Sequence, residues 1–466
     1  MSDLASADPD RPLVTCGEET ATRAGLEERA NRLARTYRAA GVCQGDFVTV
    51  AMPNGVGFYV VMFALWKLGA VPQLISPALP PPERDAIVTL ARPRLVVTAE
   101  EPDPVQEGRY LVPTVGPSWK AATSGGSTGR PKLIISGQPG EVDPGAAAAL
   151  LGQRDGDVQL VPGPLYHNAP FNFSMYGLFA GQHLVVLPRF DPVAVLEAVE
   201  RYRVGWVSFV PTMMSRVLRE LNGPRVWDIS SLRQLWHGAA PCPAWLKEAW
   251  FALLGPENVH EMYAATEAQM MTHITGAEWL AHRGSVGRPL WGEVRILTAD
   301  NDEAATGEDG EIFMRPTPGT PPTYRYVGAT ARTVDGWESL GDLGHVDADG
   351  YLYLNDRRTD LILTGGANVY PAEVEAALSE HPGVQSCAVV GLPDADLGQR
   401  VHALIQPYPD QPPNEDDLRA FLTTRLVRYK TPRTYRFTTD PLRDDAGKVR
   451  RAALRAREQA LTEPPG

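Results

Sequence analysis

The run Thr123-Ser124-Gly125-Gly126-Ser127-Thr128-Gly129 packs three glycines and four hydroxyl residues into seven positions, and Arg130, Pro131 and Lys132 follow it. A segment of this composition folds tightly, turns backbone N–H groups toward an anion and adds hydroxyl and ammonium donors to the same oxygens. Phosphate is the guest that suits it. Gly/Ser/Thr runs also make ordinary flexible turns, and the residues alone leave both readings open. The order G-x-x-x-x-G-K-[ST] of a Walker A loop is absent, because Lys132 follows a proline and is followed by Leu133. The run does not match the dinucleotide fingerprint either.

Several other groups could act on the same anion. Glu267 closes His260-Glu261-Met262-Tyr263-Ala264-Ala265-Thr266-Glu267, just past an expected strand end where ligands of α/β sheets collect. It could hold Mg²⁺ beside phosphates, or Thr266 and Glu267 could simply cap a helix. Gly238-Ala239-Ala240-Pro241 offers a backbone surface on which a flat ring could lie, although a plain turn uses the same residues. Asp342, in Leu340-Gly341-Asp342, displays a carboxylate that could accept from both hydroxyls of a ribose or remain solvated. His167 is a lone histidine, open to a core role, but Phe171, Phe173, Met175 and Tyr176 close by form a bulky apolar wall. Lys448 follows Gly447 near the chain end and, taken alone, reads as part of a solvated basic tail.

The elements that must hold these groups alternate. Leu26, Ala30, Leu33 and Tyr37 are spaced as one face of a helix over 21–40. Strands are expected at 47–51, 95–98, 158–161, 184–187, 206–210, 232–237 and 258–263. Helices are expected at 55–68, 83–91, 192–202 and about 243–254. This rhythm predicts parallel sheet covered by helices. Residues 284–355 change to short alternating segments with glycines and acidic turns, the pattern of a β-rich subdomain. Beyond a boundary at 355/356 the pattern restarts: helix 371–380, strands 384–390 and 400–406, and a helix near 415–427. The expected architecture is therefore α/β. A large domain over 1–355, with αβ-layered subdomains and a β-rich one, precedes a small α+β domain over 356–466.

Composition narrows the class. Apolar residues at 43% and charged ones at 21% fit a soluble globular chain, and a length of 466 residues is too great for one core. A net charge of −12 argues against a nucleic-acid partner. The four cysteines at 16, 43, 242 and 387 have no metal-site or C-x-x-C spacing and suit a reducing compartment. With no apolar run long enough to span a bilayer and an acidic start at Met1-Ser2-Asp3, a cytoplasmic location is expected.

Taken in order, the motifs resemble those of the adenylate-forming superfamily, which holds acyl-CoA ligases, luciferases and peptide-synthetase adenylation domains. Seven match, between about residues 20 and 455. The resemblance implies that Thr123, Ser124, Gly125, Gly126, Ser127, Thr128, Gly129 and Lys132 embrace ATP phosphates. Tyr263, Thr266 and Glu267 match Y-G-x-T-E, whose Thr approaches the α-phosphate and whose Glu binds Mg²⁺; Ala264 replaces the glycine. Gly238 and Ala239 match the segment that lines adenine and acyl group. Asp342 and Arg357 match the ribose-binding pair, with Leu340 in place of a threonine. His167 matches the aromatic position beside the reacting carboxylate. Its neighbouring wall then suits an apolar acid and would penalise a zwitterionic amino acid, and no Asp between 168 and 173 stands ready for an α-amine.

In the small domain, Gly365 and Gly366 belong to a motif whose glycine loop enters the site during thiolation. The Asp-rich segment 393–400 lies where the thiolation face would form, and Lys448 matches the catalytic lysine of adenylation. The hinge position falls on Thr359, where relatives usually carry Asp or Lys. The implied function is activation of a bulky apolar carboxylic acid by ATP to acyl-AMP, then transfer to coenzyme A. Most similar are bacterial ligases of bile-acid, steroid or terpenoid carboxylates, and the enzyme is expected as a monomer or homodimer. An adenylation enzyme loading the phosphopantetheine thiol of an acyl carrier protein is the alternative, and a silent nucleotide-binding protein a third.

Overall fold

The computed structural model describes residues 1–101, 106–125, 131–444 and 447–462. Gly126, Ser127, Thr128 and Gly129 thus lie outside the described residues. Two αβ layers form the large domain. In a nine-stranded sheet, Val259–Ala264, Gln234–His237, Trp206–Phe209, Val158–Val161, His183–Val186 and Pro12–Cys16 run parallel in that order. Antiparallel strands flank this block, Met271–Thr275 and Arg288–Trp291 on one side and Glu19–Thr22 on the other. A six-stranded sheet sets Ala121–Gly125, Val71–Leu74, Phe47–Val50 and Leu95–Val97 in parallel, with Pro131–Ser136 and then Tyr324–Val327 added antiparallel at one edge.

Between the layers lie helices whose sequences demand burial. Arg23–Ala39 buries Leu26, Ala30, Leu33 and Tyr37, the predicted face, and starts where the Thr22 side chain accepts from the Gly25 N–H at 3.1 Å. Val56–Lys67 is apolar all round and buried nearly throughout. Asn168–Phe179 follows His167 directly and buries Phe171, Phe173, Met175 and Leu178.

Five antiparallel strands, Glu293–Leu297, Gly310–Arg315, Trp337–Val346, Arg332–Val334 and Leu352–Arg357, make a smaller sheet. It answers to the predicted β-rich subdomain, except that Arg288–Trp291 and Tyr324–Val327 leave to extend the two larger sheets. Leu352–Arg357 also carries the chain through the 355/356 boundary. Its register pairs Arg357 with Asp342, which keeps the strand in the sheet two residues further than predicted. The small domain packs Pro371–Ser379 and Glu415–Thr423 on a sheet built around the hairpin Val384–Asp394 and Gly398–Pro407, with a core of its own.

Candidate active site

The carboxyl ends of the parallel strands open into one cleft of about 2900 Å³. It is lined by Gly163, Val210, Gly238 and Ala264 to Glu267 from one sheet and by Thr123, Lys132 and Ile134 from the other. Drug-sized ligands fill about 300–1,000 Å³. A cleft this large holds more than one substrate at once.

Thr266 and Glu267 occupy the centre of a turn in which the Ala268 N–H donates to the Ala265 carbonyl at 3.0 Å. The Glu267 side chain is buried, 6% exposed, and its Oε1 accepts from Lys132 Nζ at 3.2 Å and from the Tyr326 hydroxyl at 2.5 Å. Lys132 also donates to the Tyr326 oxygen at 2.9 Å and lies 4.1 Å from the ring centroid. Burial, then the bond to Glu267, pushes the Tyr326 phenol far above its ordinary range. Lys132 thus reaches Glu267 from the strand that follows the glycine run. The hairpin register Ser124↔Lys132 and Gly125↔Pro131 puts the described ends of that run on the same side of the cleft. Thr123 lines the cleft, but its hydroxyl already accepts from Gln73 at 2.6 Å. Sequence reasoning passed over Tyr326; its only signal was the alternation Tyr324-Arg325-Tyr326 on an edge strand.

A second cluster forms where two sheets meet. The Tyr263 hydroxyl donates to Asp342 Oδ2 at 2.6 Å and Arg357 Nε donates to Asp342 Oδ1 at 3.2 Å, so both carboxylate oxygens are held. Tyr263 is raised well above its usual pKa, by burial first and Asp342 second. Asp342 raises Arg357 still further, keeping it charged.

The third element comes from the small domain. Gly447 sits at φ +74° with its α-carbon against the large domain; a β-carbon there would meet Thr212 Oγ1 and Val210 Cγ2 at 3.1 Å each. The Lys448 N–H donates to Asp444 Oδ1 at 2.9 Å. The turn is tied down on both flanks. Arg443 donates to the Gly447 carbonyl at 3.1 Å and to Glu375 Oε2 at 3.2 Å, and Arg451 donates to Glu375 Oε1 at 2.8 Å and to Asp360 at 3.2 Å. Lys448 retains contact with the open cleft, yet protein packed around it lowers its pKa, with Arg357 adding to the effect and Asp444, Glu267 and Asp342 opposing it. Three clusters far apart in sequence therefore share one electrostatic field.

His167 lines the cleft as the residue preceding the Asn168–Phe179 helix, its ring 4.7 Å from that of Tyr166. Gly238 is required by its neighbour, since a β-carbon would stand 2.7 Å from the Met262 carbonyl oxygen, and Ala239 adopts φ +67°, rare for a residue with a side chain. Both line the cleft. Gly365 and Gly366 do not. They form the exposed turn of the hairpin Ile362–Thr364 and Ala367–Val369, outside the cleft lining, because the domain presents its Lys448 face there.

Glu267 and Thr266 offer only oxygen donors, which suits a hard divalent cation held by one or two carboxylates together with phosphate oxygens. The oxygen donor set fits Mg²⁺, which would share the Glu267 carboxylate with Lys132, whose Nζ donates to Oε1 at 3.2 Å.

A cleft that gathers cations about a buried carboxylate, and is covered by a second domain bearing its own lysine, defines an anion-handling enzyme of two domains. The chain belongs to the AMP-binding enzyme family, whose model matches residues 2–117 and 122–324, and the AMP-binding enzyme C-terminal domain matches 373–448. It is similar to the 2-succinylbenzoate–CoA ligase of Geobacillus kaustophilus, at 33% identity over 96% of this chain and 95% of that one. It is likewise similar to a feruloyl-CoA synthase of Amycolatopsis sp, at 34% over 97% of each. Among solved structures, the o-succinylbenzoate CoA synthetase of Bacillus subtilis in complex with its acyl-adenylate intermediate superposes with a TM-score of 0.81, at 26% identity over 97% of both chains.

Proposed function

We propose that this enzyme is an AMP-forming acid–thiol ligase that activates a carboxylic acid with a bulky apolar body and passes it to coenzyme A. A carboxylate oxygen of the acid bonds to the α-phosphorus of ATP as the bond to pyrophosphate breaks. The thiol then adds to the acyl carbonyl, losing its proton, and AMP leaves. No general base is needed for the first step, because the acid is already ionised near neutral pH.

Both reactants are anions, so the chain's task is to neutralise charge. Lys132 and the backbone around Ser124 would take the phosphates, Asp342 with Arg357 and Tyr263 the ribose, and Gly238 and Ala239 the flat adenine. Lys448 would meet the oxygens on which negative charge grows. Mg²⁺, when bound at Glu267, adds Lewis-acid stabilisation of the phosphates. His167 and the wall of Phe173 and Tyr176 would border the acid.

One observation carries this reading: Gly447 docks on Val210 and Thr212, bringing Lys448 from the small domain into the field of Glu267 and Asp342. Two relatives are named for acids that contain a ring, which favours ring-bearing substrates. Steroid- and terpenoid-like acids share the bulky apolar body and belong in the same trial. The test is ATP–pyrophosphate exchange over a panel of aryl, steroid and terpenoid acids, with AMP release measured with and without CoA. Lys448→Met is expected to slow exchange about a hundredfold, as loss of one well-placed donor does. Unimpaired exchange in that variant, or equal AMP release when CoA is omitted, would overturn the assignment.

A further inference from the structure

The cleft holds another cation that adenylation does not use. Lys120, immediately before the strand Ala121–Gly125, is 5% exposed. Its ammonium donates to the side-chain oxygens of Asn168 and Asn172, one turn apart on the Asn168–Phe179 helix. It stands 4.6 Å from the ring centroid of Trp119 and 5.5 Å from that of Phe171. The other buried lysines of this protein are paired, Lys67 with Glu27 and Lys247 with Glu261. Lys120 has no carboxylate partner among the described residues. An ammonium desolvated without a counter-charge is costly, and burial lowers its pKa to about 7.

Lys120, Trp119, Asn168, Asn172 and Tyr176 all line the cleft. Each asparagine turns its oxygen to the ammonium, which leaves its NH₂ group as a donor, and an ammonium bonded to two oxygens keeps a third N–H. The subsite is therefore all donor. Its position follows from the hairpin: Ser124 pairs with Lys132, Ala122 with Ile134, and the Ser136 N–H donates to the Lys120 carbonyl at 3.1 Å. Four residue steps along the chain take Lys120 to Ser124, about 13 Å at 3.3 Å per residue. Lys120 thus lies that far along the strand from the residue paired with Lys132, with Ile134 paired at a position between them, and Ile134 and Phe173 also line the cleft.

We propose that Lys120, with Asn168 and Asn172, binds a second carboxylate at the far end of the acid, so that the enzyme selects dicarboxylic acids with a ring-sized apolar body. The site deepens, and rests on, the acid-activating function above. A diacid brings the counter-charge that the fold omits; a monoacid leaves the ammonium unpaired and loses what a polar site built for a partner withholds from an analogue lacking it.

The experiment compares matched pairs, 3-phenylpropanoate with 3-(4-carboxyphenyl)propanoate and the corresponding biphenyl acids, by ATP–pyrophosphate exchange. The wild type is expected to favour at least one diacid over its monoacid partner by tenfold or more in kcat/KM. Lys120→Met should reduce that ratio at least tenfold, and Lys120→Arg should restore part of it. A wild type that prefers the monoacid in both pairs, or a Lys120→Met change that scales both acids equally, would show that Lys120 only ties strand to helix. Calorimetric titration of the diacid into wild type and variant reads the subsite without turnover. Binding lost in the variant supports it and unchanged binding overturns it, even if the ligase assignment were wrong. Lys120→Gln, which keeps a polar side chain, replaces Lys120→Met should the latter alter folding.

Discussion

Gly447 links backbone geometry to chemistry at a single residue. A side chain at φ +74° costs about 1–2 kcal/mol, and the added β-carbon would press on Val210 and Thr212 at 3.1 Å. The first penalty falls on the small domain's own turn and the second on the docked arrangement that presents Lys448, while the small domain's core, built on Ile362, Val374, Val389 and Leu418, is untouched. Gly447→Ala should therefore slow pyrophosphate exchange by about tenfold, the rate equivalent of 1.4 kcal/mol. It should slow thioester formation from preformed acyl-AMP far less. Single-turnover measurement of the two half-reactions separates the effects, and equal losses in both would show that the glycine serves folding alone.

At the scale of elements, three neighbouring strands carry a histidine stack beside the cleft. Trp236, His260 and His273 stack with ring centroids 4.7, 5.0 and 5.3 Å apart, and His260 Nδ1 lies 3.1 Å from His273 Nε2. Burial, then the charges of His273 and His237, lowers the His260 pKa to about 4. The unfolded chain takes up this proton near pH 6.5 while the folded one resists until about pH 4. Stability is thus fully present above pH 6.5 and is lost as pH falls through that window, by on the order of 3 kcal/mol from His260 alone. Thermal melts across this range should show the loss, and His260→Gln should flatten it; a profile unchanged by the substitution would remove His260 as the cause. Of the three strands that carry the stack, Gln234–His237 and Val259–Ala264 fall on the expected strands 232–237 and 258–263, whereas Met271–Thr275, an added antiparallel strand, is not expected from the sequence. The family resemblance singled out Glu267, Asp342, Arg357 and Lys448, and the fold brings all four to one cleft, although only Glu267 lies just past the end of a parallel strand. Other parts were hidden. Asn168–Phe179 is apolar on most sides, so no face announced a helix. Tyr326 acts from a strand that joins a sheet other than its sequence neighbours', and Lys120 ends a polar, Pro-rich connection over 99–120, its partners lying 48 and 52 residues away.

At the scale of the whole molecule, the small domain is held against the large one by polar and surface contacts. Arg219 donates to both oxygens of Asp410 at 2.9 and 2.7 Å and stacks on Tyr408 at 3.5 Å. Arg450 lies 3.7 Å from Glu83, and Trp245 Nε1 donates to Ser379 at 3.5 Å. Exposed ion pairs of this kind contribute about 0.2–1 kcal/mol each and weaken with salt, so they hold the two domains together only loosely. On the role proposed for Lys448, adenylation uses this arrangement, and a step using the exposed Gly365-Gly366 hairpin would need another. Arg219→Ala should thus lower pyrophosphate exchange about two- to fivefold with little effect on the thioester-forming half-reaction. Raising ionic strength should depress exchange in the wild type and do so less in the variant, where the pair is already absent. If exchange responds to salt identically in both proteins, the Arg219–Asp410 contact takes no part in closure.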